Sequence, residues 1–281
     1  MKDAQFQFVE GQSRDTFPAL LAELSALGEA AVRDCPCQLE HPYGEHVRKR
    51  YDYFPASGVA RGTLAYFHAG YWQSRDKSAF RALAPTFARE GLNVALINYP
   101  LCPDVSLEEL VEATREAVIA LVRSPEYAAA PAMIAAGHSA GAHIACELAL
   151  TDWVANGLST NPIKGVLALS GIYDLRPLVN TTLNAKLGLD EASALRHSPI
   201  FRSTAGLPPA LFAVGSEETP AFLAQSETMT DRWQQAGNDA RSYRAPGADH
   251  FGLLKQILDR ESDLSAHIRS LIDRVCYACG A

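Results

Sequence analysis

The chain has 281 residues, 48% of them hydrophobic and 20% charged, with a formal net charge of −7. This is an ordinary globular composition with enough apolar material for one large core. The acidic balance argues against nucleic acid and anionic membranes as partners, and no apolar run approaches the ~18 residues that a membrane span needs.

The N-terminal stretch MKDAQFQFVEGQSRD is polar and has no apolar signal core, so a cytoplasmic location is expected. Residues 16–32 carry apolar side chains at helical spacing and predict a helix. VRKRYDYF (47–54) predicts a first strand, and TLAYFHAG, ending at Gly70, a second. SAFRALAPTFAREGL has the helical period and closes on Gly91, a suitable C′ residue. NVALINYP reads as a buried strand stopped by Pro100. The next helix, SLEELVEATREAVIALVRSP, opens with Ser106 and Glu109 spaced as a capping box. PAMIAAGHS predicts a strand and AGAHIACELAL a helix. IKGVLALSG and PALFAVGS predict further strands, FLAQSETMTDRWQQAG a helix, ARSYRAPG a last strand, and the segment from Phe251 onward closing helices.

Strands that alternate with helices in this way imply βαβ units and a mainly parallel sheet covered on both faces. No linker-like stretch divides the chain, so a single domain over 1–281 is expected, with residues 1–42 as a helical arm that shades the site. The short connection between IKGVLALSG and PALFAVGS predicts a minimal cap. Six cysteines (35, 37, 102, 146, 276 and 279) read as free thiols rather than disulfides or zinc ligands. Neither a metal nor an organic cofactor is expected, and monomer and homodimer both stay open.

In open α/β sheets ligands bind at the carboxyl ends of the strands. Gly137-His138-Ser139-Ala140-Gly141 fits G-x-S-x-G at a strand-to-helix junction, the context that displays a nucleophilic serine on a strained turn. A serine needs a base. His250, in GADHFG after the last strand, is the best placed of eight histidines. The carboxylate that orients it is expected at Glu218, three residues past Gly215, with Glu217, Asp174 and Asp249 as rivals. The chain order Ser139, Glu218, His250 is nucleophile, acid, base. Oxyanion donors are expected from the backbone N–H groups of Ala140 and of Ala69 and Gly70 in the His68-Ala69-Gly70-Tyr71-Trp72 loop. His68 is assigned to bracing that loop and to contacting the substrate. Tyr71, Trp72, Phe222 and Phe251 lie next to these loops and would suit a planar aromatic leaving group.

These residues resemble the α/β-hydrolase superfamily, in its esterase/lipase branch, and more narrowly the kynurenine formamidase (arylformamidase) group. HAGYW is similar to that group's H-G-G-x-W loop, GHSAGAH to its elbow, EETPAFLAQS to its acidic loop, and NYPLCPDVSLEELVEA to its Y-x-L-x-P segment with the following helix. The likeness runs from about residue 43 to 258. Ala69 stands where that group usually has Gly, and Glu218 where Asp is common. The resemblance implies a serine hydrolase acting on a small ester or an N-formyl or aryl amide. A broad short-chain carboxylesterase is the alternative, and a non-catalytic ligand-binding relative a third.

Overall fold

The computed structural model describes residues 3–277. The chain begins with α1 (Ala4–Phe8), a 3-10 turn at Glu10–Gln12 and α2 (Phe17–Asp34). Then come β1 (Gln38–Pro42), β2 (Arg50–Phe54), β3 (Gly62–Phe67), α3 (Ala84–Arg89), β4 (Leu92–Ile97), α4 (Leu107–Val122) and α5 (Pro125–Ala129). They are followed by β5 (Met133–His138), α6 (Ala140–Ala149), β6 (Ile163–Leu169), α7 (Asn184–Leu187) and α8 (Glu191–Arg196). The chain closes with β7 (Ala210–Gly215), α9 (Pro220–Gln235), β8 (Ala240–Ala245), α10 (Gly252–Leu258) and α11 (Asp263–Tyr277).

The eight strands form one sheet in the order β1-β2-β4-β3-β5-β6-β7-β8. β1 and β2 run antiparallel to their neighbours, and the pairs from β4 to β8 are parallel. Alternate residues of the central strands enter two different cores. Ala65, Phe67, Ala95 and Ile97 pack on one face, and Leu64, Tyr66, Val94 and Leu96 on the other. That is the period-two geometry of a strand covered on both sides.

Local signals explain most boundaries. Ser106 Oγ accepts the Glu109 N–H at 3.2 Å while Glu109 Oε2 accepts the Ser106 N–H at 2.8 Å, closing the capping box on α4. The single helix expected over residues 78–92 is instead a 3-10 turn, Lys77–Leu83, followed by α3. Pro85 has no N–H to donate back to the preceding turn, so a continuous α-helix breaks there. β1 carries no apolar alternation: four of its five residues are exposed, and it forms the sheet's edge, so periodicity did not find it. The segment between β6 and β7, expected to hold little or no cap, carries α7, α8 and two 3-10 turns. No helix among the described residues is long and apolar enough to cross a membrane. Cys35, Cys37, Cys102 and Cys146 are free thiols, and Cys279 lies outside the described residues.

Candidate active site

Ser139 sits between β5 and α6 with φ 57° and ψ −117°, a region that a non-glycine residue occupies only when its surroundings force it. The force is visible in the flanking glycine. A Cβ on Gly141 would lie 1.9 Å from the Phe67 carbonyl oxygen, so α6 reaches its close approach to β3 only without a side chain there. The helix begins at Ala140, directly after the serine, and its first N–H groups have no acceptor within the helix.

At the end of β7 the chain turns and places Glu218, which is 5% exposed, under His250, which is 4% exposed. Glu218 Oε2 lies 2.7 Å from His250 Nδ1. The other oxygen, Oε1, accepts the Gly215 N–H at 2.9 Å and the Ser170 hydroxyl at 2.5 Å. The carboxylate is therefore held at both oxygens, and it fixes the orientation of the imidazole through Nδ1. The three rival acids point elsewhere. Glu217 is exposed, Asp174 pairs with Arg176 at 2.8 Å, and Asp249 accepts the Gly252 N–H at 2.7 Å.

Ser139, His250, Ala69, Gly70, Tyr71 and Phe251 line one cavity of about 180 Å³. Among the described residues, the backbone N–H groups of Ala69, Gly70 and Ala140 donate to no protein acceptor. Gly70 has φ +134°, and a Cβ there would lie 2.1 Å from the Ser74 carbonyl oxygen, so the loop's left-handed turn demands glycine. Tyr71 and Trp72 continue that turn with φ 51° and 61°. No hydrogen bond joins Ser139 Oγ to His250 Nε2 among the described residues; such contacts commonly tighten only when substrate is bound.

Three residues expected to touch substrate do not face this cavity. His68, Trp72 and Phe222 are each fully buried. His68 stacks on Tyr99 at 4.3 Å, and the Tyr99 hydroxyl donates to the His68 carbonyl at 2.7 Å. Burial pushes the pKa of His68 down to about 4. It braces the loop as a neutral ring and lies beneath the site. Trp72 meets His143 edge-on at 5.1 Å, and Phe222 meets His250 at 5.0 Å. All three pack under the loops because the left-handed turn and the entry to α9 send their rings inward. Tyr71 and Phe251 remain in the wall.

Sequence reasoning expected an N-terminal arm over the site and named none of its residues. Val9, Gln12, Ser13 and Phe17 supply the outer wall. Gln12 Nε2 donates to Thr219 Oγ1 at 3.0 Å, Thr219 donates to the Gln7 carbonyl at 2.7 Å, and the Tyr71 hydroxyl donates to the Phe8 carbonyl at 2.5 Å. Ser170 could have been suspected because it follows β6 at the sheet's carboxyl edge. Arg75 also lines the cavity, three residues past the HAGYW loop. A larger groove of about 820 Å³, between α1 and α9, contains neither Ser139 nor His250. The smaller cavity is the one that carries Ser139 and His250 in its wall.

The family of the alpha/beta hydrolase fold matches residues 64–253. The kynurenine formamidase of Danio rerio is 32% identical over 92% of this chain and 90% of its own length, and that of Salmo salar is 30% identical over 81% and 79%. A solved structure from Silicibacter sp. tm1040 is 29% identical and superposes with a TM-score of 0.77, covering 96% of both chains. An esterase from Pyrobaculum calidifontis, at 17% identity and a TM-score of 0.70 over 92% of this chain and 93% of its own, shares the fold. With the strand order, the elbow and the histidine–carboxylate pair in place, the chain belongs to the alpha/beta hydrolase family and is a hydrolase.

Proposed function

We propose that this hydrolase cleaves a small N-formyl aryl amide, as the kynurenine formamidases do by name, through a formyl-serine intermediate. The observation that carries the reading is His250, backed by Glu218 at 2.7 Å, lining one cavity with Ser139 in its strained elbow, beside the unused N–H groups of Ala69, Gly70 and Ala140. His250 Nε2 takes the Ser139 hydroxyl proton as Oγ attacks the formyl carbon. Glu218 stabilises the imidazolium and holds its orientation. The oxyanion is received by the N–H groups of Ala69, Gly70 and Ala140. Such donors act as fixed dipoles where charge develops, and losing one typically costs ~10²–10³ in turnover. His250 then protonates the amine nitrogen, the C–N bond breaks, and the arylamine leaves. Water, deprotonated by the same histidine, releases formate and restores the serine.

The cavity's small volume supports a short acyl group, and a short-chain ester would satisfy the same geometry. Purified protein assayed in parallel on N-formylkynurenine and p-nitrophenyl acetate separates the two. A higher kcat/KM on the formamide supports the proposal, and the reverse ranking replaces it with an esterase. Ser139→Ala should remove both activities; retention of either would end the nucleophile assignment.

A further inference from the structure

We infer that Arg75 is a specificity-determining residue that binds a carboxylate on the leaving-group half of the substrate, so that the hydrolase prefers anionic acyl-arylamines to neutral ones. This inference rests on the formamide hydrolysis proposed above and names its substrate class more narrowly.

Among the described residues lining the cavity, Arg75 has the only formally charged side chain, in a chain whose net charge is −7. No salt bridge to Arg75 exists among the described residues, and its guanidinium donates no hydrogen bond to protein there. The neighbouring cations are engaged. Arg14 donates to the backbone carbonyls of Gly11, Ser13 and Glu217, and Arg48 to those of Tyr99 and Arg75. The nearby acids are engaged as well. Asp76 accepts from Ser78 and Asn98, and Glu218 is taken by His250, Ser170 and Gly215. Partial burial lowers the Arg75 pKa from its ordinary value, while a guanidinium keeps its charge at neutral pH.

A half-buried cation without a counter-ion loses hydration for no return unless a ligand supplies the anion. Its placement is built. Arg75 has φ 72°, its carbonyl is clamped by Arg48 Nη2 at 2.9 Å, and its guanidinium carbon lies 4.7 Å from the centroid of the Phe251 ring. Stacking on a ring uses the face of the guanidinium and leaves its N–H edges free for a planar carboxylate. The acyl group proposed above is a formyl, which carries no anion, so the carboxylate belongs to the departing amine.

The test uses formanilide and the 2-, 3- and 4-formamidobenzoates, a series that differs only in the presence and position of a carboxylate. Wild type should favour at least one formamidobenzoate over formanilide by ~10-fold or more in kcat/KM, the worth of a charge-assisted pair. In Arg75→Gln that ratio should fall by ~10-fold or more, carried mainly by KM, as loss of uniform binding requires. Arg75→Lys should retain part of it. A residue that merely packs on Phe251 would lower all four rates together and leave the ratio unmoved. A smaller wild-type preference, or a smaller fall in Arg75→Gln, overturns the inference. Binding of benzoate against benzamide, followed by NMR in wild type and Arg75→Gln, separates the two readings. Arg75-dependent benzoate binding without turnover of any formamide sinks only the proposed function. Normal formanilide turnover with equal binding of benzoate and benzamide sinks only the role of Arg75.

Discussion

The imidazole of His138 lies against that of His250, with ring centroids 4.5 Å apart, and its Nε2–H donates to the His250 backbone carbonyl at 2.8 Å. The residue preceding Ser139 thus supports His250 from behind. Burial, and then the neighbouring His250, hold the His138 pKa well below its ordinary value, so it stays neutral when His250 becomes charged. His138→Phe would keep a ring in the stack and leave the buried His250 carbonyl without its donor, a loss of ~1–3 kcal/mol. We expect kcat to fall ~10-fold with KM little changed, because the base is misaligned while substrate contacts persist. His138→Gln, which restores an N–H donor, should recover part of kcat. An unaltered kcat in His138→Phe would show that the carbonyl contact does not position the base.

Buried neutral histidines make this fold sensitive to acid. His68 and His143 are fully buried, and burial lowers their pKa values to about 4 and about 3 from an ordinary 6.5; His138 shifts the same way. Below 6.5 the unfolded chain binds a proton at each of them and the folded chain does not. The stability they contribute is therefore complete above that pH and is lost as pH falls towards the folded values. Each histidine adds a slope of ~1.4 kcal/mol per pH unit. Urea unfolding at pH 7.5, 6.0 and 5.0 should show the free energy already falling by ~2 kcal/mol across the upper interval, whose lower end lies below the unfolded value of 6.5. Across the lower one, which lies above the ordinary range of carboxylates, it should drop by ~4 kcal/mol. A drop of less than ~1.4 kcal/mol, a single histidine's share, would mean that the folded protein accepts these protons.

The sheet and the elbow were legible in sequence because both depend on local chemistry. The apolar run at 93–100 reads as a doubly buried strand, which the structure places at Leu92–Ile97, and a serine between glycines at a strand end marks a tight strand-to-helix turn. Glu218, singled out by its spacing from Gly215, meets His250 Nδ1 at 2.7 Å, and its rivals point elsewhere. The limits were tertiary. Periodicity cannot see β1, which buries almost nothing. An aromatic beside a catalytic loop faces the cavity or the core according to backbone angles that the sequence does not display. Hence Tyr71 and Phe251 line the cavity, while Trp72 and Phe222 pack beneath it. Arg75 and the residues of the N-terminal segment become meaningful only when distant stretches meet at one rim.

Ser170 holds Glu218 in a backbone conformation that disfavours its own side chain. Its φ is +49°, its N–H donates to the Ala213 carbonyl at 2.7 Å, and its hydroxyl donates to Glu218 Oε1. Ser170→Ala removes the hydroxyl and keeps the strain, leaving Gly215 N–H as the other donor to that oxygen. A hydrogen bond to a carboxylate is worth ~1.5–3 kcal/mol, so kcat should fall ~10-fold. Ser170→Gly relieves the strain, and its stability should exceed that of the alanine variant by ~1 kcal/mol, with kcat equally low. Full turnover in the glycine variant would assign the alanine defect to backbone strain and remove Ser170 from the carboxylate's support.

Phe17 sets the reach of the cavity on the side formed by the N-terminal segment. It opens α2 and meets Phe251 edge-on, with centroids 4.8 Å apart and planes at 81°. With Val9 and Gln12 it completes the wall of a cavity of about 180 Å³. Phe17→Ala would delete the ring from a half-buried site and leave β5, β7 and the loops that carry Ser139, Glu218 and His250 untouched. Discrimination by size in such a pocket runs to ~10-fold or more per methylene. The ratio of kcat/KM for p-nitrophenyl hexanoate to that for the acetate should therefore rise by ~10-fold or more. The acetate rate itself should change little, because the smallest acyl group does not need the space. If the wall moved freely out of the way in wild type, the chain-length profile would be the same in both proteins, and the N-terminal segment would have no part in selecting the substrate.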